Sequence, residues 1–115
     1  MAPYDTIALF VSDPAVLASL QFALTVEGFE PIVEATEPGA RAVVIDRGNL
    51  AEGLKLLDEM RGSGNQAAAF ILATCPPPRL TATAAAMGAT LIEKPLRGDE
   101  LARALRTGLQ TEKVA

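Results

Sequence analysis

Short continuous apolar runs alternate along this chain with longer stretches in which apolar residues recur every three or four positions. Continuous runs that are rich in β-branched residues are typical of strands covered on both faces of a parallel sheet. Five such strands are predicted: Thr6–Val11, Phe29–Val33, Ala42–Asp46, Ala67–Ala73 and Thr90–Glu93.

The stretches between these strands have the apolar spacing of amphipathic helices. Four helices are predicted: one from Pro14 to just before Gly28, one from Leu50 to Met60, one over Leu80–Met87, and one that begins after Asp99. Strands that alternate with helices indicate a doubly wound α/β fold. We therefore expect one domain over residues 1–115.

The connection between the second and third strands, residues 34–41, is unusually short. A parallel crossover with its helix usually needs ~10–12 residues. Pro38 and Gly39 also interrupt this segment, so we predict a loop or a single helical turn there. Pro31 lies inside the second strand and cannot donate to a ladder, which predicts an edge position for that strand.

Composition excludes several classes of site. The chain has 115 residues, no histidine, a single cysteine (Cys75) and a net charge of −4. Internal disulfides, Cys/His zinc sites and His-dependent triads are therefore excluded. The acidic balance argues against direct binding of nucleic acid. No apolar run reaches the ~20 residues that span a bilayer and no signal-peptide pattern is present, so we expect a cytoplasmic protein without membrane contact.

Polar side chains stand at the ends of four predicted strands. Ser12 and Asp13 follow the first strand, Asp46 ends the third, Thr74 follows the fourth and Lys94 follows the fifth. The carboxyl ends of parallel strands meet at one edge of a sheet, so these side chains are expected to converge there. Each also has a simpler interpretation. Asp46 can be a strand-end acid, Asp13 a helix cap and Ser12 a turn residue. Thr74 can be a residue that favours strands, and Lys94 a surface lysine.

Three segments resemble the receiver domain of bacterial two-component response regulators. They are the apolar strand that ends in Asp46, the segment FILAT that ends in Thr74, and the segment MGATLIEKPL that contains Lys94. The resemblance extends from Thr6 to about Leu109. It implies an α/β, flavodoxin-like doubly wound sheet of five parallel strands in the order 2-1-3-4-5. The helix between strands 2 and 3 would be reduced or absent.

The resemblance also implies a signalling role rather than an enzyme. Asp46 would accept a phosphoryl group from a histidine kinase or a phosphotransfer protein, with at most autocatalytic transfer and dephosphorylation. Lys94 and Thr74 would bind phosphoryl oxygens. Mg²⁺ would be held by Asp13, Asp46 and the backbone carbonyl of Gly48. Signalling would pass by contact to a downstream effector or output domain.

Several residues depart from the family's pattern. Ser12 replaces the first of two adjacent acids. We therefore expect Ser12 to contribute only through a water, and we expect Mg²⁺ to bind more weakly. The loop after Asp46 is shortened and lacks its usual proline. Leu91 stands where the family has an aromatic switch residue.

These departures leave an alternative open: a degenerate receiver that acts as a phosphorylation-independent interaction module. A remoter alternative is a small flavodoxin-like binder of a nucleotide or FMN, although no Gly-rich phosphate loop follows the first strand. In either receiver interpretation, the last two helices and the fifth strand would form a surface for a homodimer or an effector.

Overall fold

The computed structural model describes residues 6–33, 40–94 and 100–114, and no side chain is described from residue 108 onward. Within these ranges, five strands alternate with four helices. The elements are β1 (Thr6–Val11), α1 (Pro14–Val26), β2 (Glu30–Val33), β3 (Ala42–Asp46), α2 (Leu50–Gly62), β4 (Ala68–Ala73), α3 (Pro78–Ala86), β5 (Ala89–Glu93) and α4 (Glu100–Val114).

The strands form one sheet in the order β2-β1-β3-β4-β5, and every neighbouring pair is parallel. This confirms the expected doubly wound fold and the edge position of β2. Pro31 is in register with Ile7 on the edge strand, where the N–H that proline lacks disrupts the hydrogen bonding of the sheet least. The expectation of a missing helix between β2 and β3 falls on residues 34–39, which lie outside the described residues.

Both faces of the sheet are covered, which is why its strands are apolar without alternation. One face packs against α1 and α4, which contribute Leu20, Leu24, Leu101, Ala102 and Leu105. The other face packs against α2 and α3, which contribute Leu50, Leu54, Leu57, Met60 and Ala84. The sheet therefore separates two aliphatic cores, and its carboxyl edge is open between them.

The third helix begins earlier than the sequence predicts, at Pro78 instead of Leu80. Proline has no N–H to lose in the first helical turn and its φ suits a helix. The last proline of the segment Pro76–Pro78 therefore belongs to the helix, and only the first two form the connection.

The solvent face of α1 is uncharged, and it exposes two large apolar side chains beside Ser19 and Thr25. This helix of 13 residues contains no charged side chain, and Phe22 and Val26 are 74% and 65% exposed. Even so, neither α1 nor any other helix in the described ranges has the length and apolar character needed to cross a bilayer.

Arg106 joins α4 to the turn that follows α1. Its Nη2 atom donates to the Glu27 carboxylate Oε1 at 2.6 Å and to the Glu27 carbonyl oxygen at 3.0 Å. The guanidinium carbon also lies 5.7 Å from the centroid of the Phe29 ring. These contacts fix the last helix against the start of the second strand.

The buried strands should dominate stability. Val44 of β3 is 0% exposed, whereas Val33 of β2 is 47% exposed. We expect Val44→Ala to lower the free energy of unfolding by about 2 kcal/mol, through lost burial and an unfilled cavity. The same substitution at Val33 should change it by less than about 0.5 kcal/mol. Urea unfolding would measure both, and equal effects would contradict the proposed core.

Candidate functional site

Asp46 lies at the carboxyl end of β3 and, among the described residues, is the only buried residue with a polar side chain, at 5% exposure. The Nζ atom of Lys94 lies 3.0 Å from Asp46 Oδ2 and 3.2 Å from Oδ1. A buried carboxylate is costly unless a cation or hydrogen bonds compensate it. The ammonium group of Lys94 therefore stabilises the charge of the Asp46 carboxylate, which is buried at the end of β3.

The backbone around Lys94 positions that ammonium group. Its N–H donates to the carbonyl oxygen of Ala73 at 2.9 Å, which extends the β4–β5 ladder beyond the last residue of β5. From there the side chain reaches across the end of β4 to β3, and it remains 29% exposed. Lys94 can therefore contact both the buried carboxylate and a group that approaches from solvent.

The loop after Asp46 turns its backbone toward the carboxylate. The N–H of Gly48 points at Asp46 Oδ1 from 3.5 Å, and its φ of +92° is a left-handed value that favours glycine. Asn49 then caps α2, because its side chain accepts the N–H of Glu52 at 2.9 Å. This cap was not predicted from the sequence, although asparagine is a preferred residue at the position before a helix.

Ser12 lies beside Asp46 because β1 and β3 are neighbours, and Asp13 is the next residue of the chain. Val11 is in register with Asp46, and the N–H of Ser12 donates to the Asp46 carbonyl oxygen at 2.9 Å. Asp13 caps α1 through Oδ1, which accepts the N–H groups of Ala15 at 2.8 Å and Val16 at 3.4 Å. Asp13 is therefore a helix cap, and its Oδ2 atom is not used by the cap.

Thr74 is exposed at the end of β4. It lines, together with Lys94, a mainly apolar cavity of about 840 Å³ between α1 and α4. A smaller cleft of about 340 Å³ places Thr74 opposite Gly48. Within the described ranges, Lys94 Nζ donates to Asp46 and not to Thr74. Thr74 thus lies at the rim of the site, in the same cavity as Lys94, and is not hydrogen-bonded to the ion pair.

Arg47 is a second cation near the site, which the sequence analysis did not single out. Its guanidinium carbon lies 5.9 Å from the centroid of the Phe10 ring, and it shares a cleft of about 430 Å³ with Ser12. Its position directly after Asp46, at a strand end, was the available signal. Arg47 is therefore a further cation at this edge of the sheet, held against Phe10, while the contact with the Asp46 carboxylate is made by Lys94.

The donor set suits Mg²⁺ with most of its ligands supplied by water. In the described part of the chain, no three His, Cys, Asp or Glu residues come together as a metal-binding group. However, Mg²⁺ in proteins commonly takes one or two carboxylates and keeps several waters. Asp46, the free Oδ2 of Asp13 and the nearby Gly48 loop fit that requirement.

Comparisons with known proteins agree on the fold. No protein-family model matches the chain, and no curated protein sequence matches it. The structure is similar to a CheY-like receiver domain protein of Methanospirillum hungatei, with a TM-score of 0.81 and 19% identity over 97% of this chain and 99% of that one. A receiver domain protein of Clostridium thermocellum gives 0.80 and 18% identity, over 96% and 98%.

Brucella abortus NtrX gives a TM-score of 0.82 and 22% identity over 96% of this chain, which spans 28% of the NtrX chain. The fold is that of a receiver domain. The resemblance stated from sequence motifs is thereby confirmed at the level of the fold. The receiver fold places Asp46 and Lys94 at the edge where parallel α/β sheets gather their ligands.

Removal of the Lys94 ammonium group tests its role toward Asp46. We expect Lys94→Met to lower the free energy of unfolding by about 1–3 kcal/mol, because the buried carboxylate loses its cation. The matched control is Lys55→Met, which removes an exposed lysine of α2 and should cost less than about 0.5 kcal/mol. Urea titrations of the two variants decide the question, and similar losses would argue against the ion pair.

Proposed function

We propose that residues 1–115 form a receiver domain that accepts a phosphoryl group on Asp46 and signals by protein contact. The observation that carries the proposal is a buried carboxylate at the carboxyl edge of the sheet, held at 3.0 Å from a lysine ammonium group that solvent can still reach. A carboxylate in this setting is a competent nucleophile toward phosphorus once the charge of the incoming group is neutralised. The domain itself has no turnover beyond autocatalytic phosphoryl transfer and hydrolysis.

In this proposal an Asp46 oxygen forms a bond to phosphorus while the bond from phosphorus to the donor's imidazole nitrogen breaks. The departing imidazole keeps the electron pair of that bond. Lys94 moves its hydrogen bonds from the carboxylate to a phosphoryl oxygen, and the Thr74 hydroxyl donates a hydrogen bond to another phosphoryl oxygen. Asp13, Asp46 and the Gly48 carbonyl would hold Mg²⁺, with Ser12 acting through a water. The ion would neutralise phosphoryl charge.

The partners proposed are a histidine kinase or phosphotransfer protein as donor, and a downstream effector or output domain as receiver of the signal. The exposed Phe22 and Val26 of α1 lie beside the cavity that contains Thr74 and Lys94, so they offer an apolar contact surface close to the reacting group. The surface of α3, β5 and α4 is proposed for an effector or a second copy of this domain. Such a role would place the protein in the cytoplasm.

Phosphoryl uptake can be measured directly. We expect incubation with acetyl phosphate and Mg²⁺ to add one phosphoryl group, seen by intact mass, and beryllofluoride to bind at the same site. Asp46→Asn should abolish both, because an amide is not a nucleophile toward phosphorus. Asp58→Asn, which neutralises an exposed acid of α2, should change neither. An unmodified wild-type protein under these conditions would rule out the proposed chemistry.

A degenerate receiver is the second candidate, favoured by one observation. Ser12 carries no charge and Asp13 already gives one of its two oxygens to the helix cap, so fewer carboxylate oxygens are left for a cation than in the family's pattern. In that case the fold would present its surfaces without phosphoryl transfer. Binding of Mg²⁺ at the site distinguishes the two candidates, because the phosphorylated receiver requires it and the degenerate receiver does not.

A charge at position 12 should strengthen Mg²⁺ binding. We expect Ser12→Asp to lower the Kd for Mg²⁺ by about 10-fold, because a carboxylate there adds attraction next to Asp46. Ser63→Asp adds the same charge at the opposite end of α2 and serves as the control. Calorimetric titration with Mg²⁺ compares the wild type with the two variants. An unchanged Kd in Ser12→Asp would refute the view that the missing charge at position 12 weakens Mg²⁺ binding.

A further inference from the structure

Gly53 lies in the first turn of α2, directly behind the Asp46 site. Its N–H donates to the Asn49 carbonyl oxygen at 3.2 Å, so it takes part in the first regular hydrogen bond of the helix. A Cβ atom added at Gly53 would lie 3.3 Å from the Cγ2 methyls of both Ile45 and Ile71. That spacing is tighter than ordinary carbon–carbon contact. Because Gly53 has no side chain, α2 approaches the sheet more closely than it could with any other residue at this position.

The two methyls belong to the strands that carry the site. Ile45 immediately precedes Asp46 on β3, and Ile71 on β4 is in register with Ile45. Both side chains are 0–1% exposed within the core below α2, where close packing leaves them little room to move. A Cβ at Gly53 would therefore displace the first turn of α2 rather than the strands.

The first turn of α2 in turn holds the loop that faces the carboxylate. Asn49 caps the helix, and the preceding residue, Gly48, points its N–H at Asp46 Oδ1 from 3.5 Å. This distance is at the upper limit for a hydrogen bond, so a small shift of the loop is enough to break it. We propose that Gly53 is a positioning residue, which sets the distance of the Gly48 backbone from Asp46 and thereby the rate of phosphoryl uptake. The rate part of this inference rests on the proposed function.

Gly53→Ala tests the inference, with Gly62→Ala as the matched control. Gly62 ends the same helix, and a Cβ added there would meet nothing within 4 Å. A displacement of a few tenths of an ångström should lower the maximal rate of phosphoryl uptake from acetyl phosphate by about 3- to 10-fold in Gly53→Ala. The acetyl phosphate concentration that gives half the maximal rate should not change. The amide signal of Gly48 in nitrogen–proton correlation spectra should shift in Gly53→Ala and not in Gly62→Ala.

The Gly48 signal separates positioning from simple stability, since a merely structural role would lower the melting temperature and leave this amide unchanged. An unshifted Gly48 amide in Gly53→Ala overturns the inference, and so does a shifted amide with wild-type uptake. If the wild-type protein takes up no phosphoryl group, the proposed function fails, and the Gly48 signal alone then decides the positional inference.

If Gly53→Ala does not fold, the same measurements are made on Gly53→Ala combined with Ile71→Leu, which lacks one of the two opposing methyls. Failure of that protein to fold as well would overturn the inference, because the contact would then determine the fold rather than adjust the site.

Discussion

The ion pair between Asp46 and Lys94 joins the ends of two strands that do not touch each other. β3 and β5 are separated by β4, and the lysine side chain bridges that gap to reach both carboxylate oxygens. A carboxylate at 5% exposure is costly to bury unless a cation or hydrogen bonds compensate its charge, and Lys94 provides that compensation. Any group that attaches to Asp46 must therefore also offer the ammonium group a new acceptor. A phosphoryl group, with its anionic oxygens, is such a group.

The strands were predicted well because β-branched residues in continuous runs have few alternatives in a chain of this length. The order of the strands came from the resemblance to receiver domains, since a hydrophobic pattern contains no information on which strands are neighbours. Boundaries were wrong where two signals overlapped. The predicted helix over Leu80–Met87 left Pro78 outside, but proline is as common in the first turn of a helix as in a connecting turn.

The convergence of polar groups at one edge was predictable for a general reason: parallel strands all end on the same side. The separate role of each group was less predictable. The sequence left open whether Asp13 caps a helix, and the structure shows that it does so through one oxygen only. The contacts of Arg47 and Gly53 depend on how closely a helix approaches the sheet, which residue spacing alone does not determine.

The last helix completes the core that the first strand begins. Leu101 and Leu105 of α4 belong to the same apolar cluster as Ile7 and Leu9 of β1, and Arg106 fastens α4 to the turn after α1. During synthesis at the usual pace of elongation, about 5–20 s pass between the appearance of Ile7 and that of Leu105. Throughout that interval this face of the nascent sheet is covered by α1 alone, and the part that packs against α4 is exposed. The growing chain therefore exposes an aliphatic surface that chaperones can bind until α4 has left the ribosome.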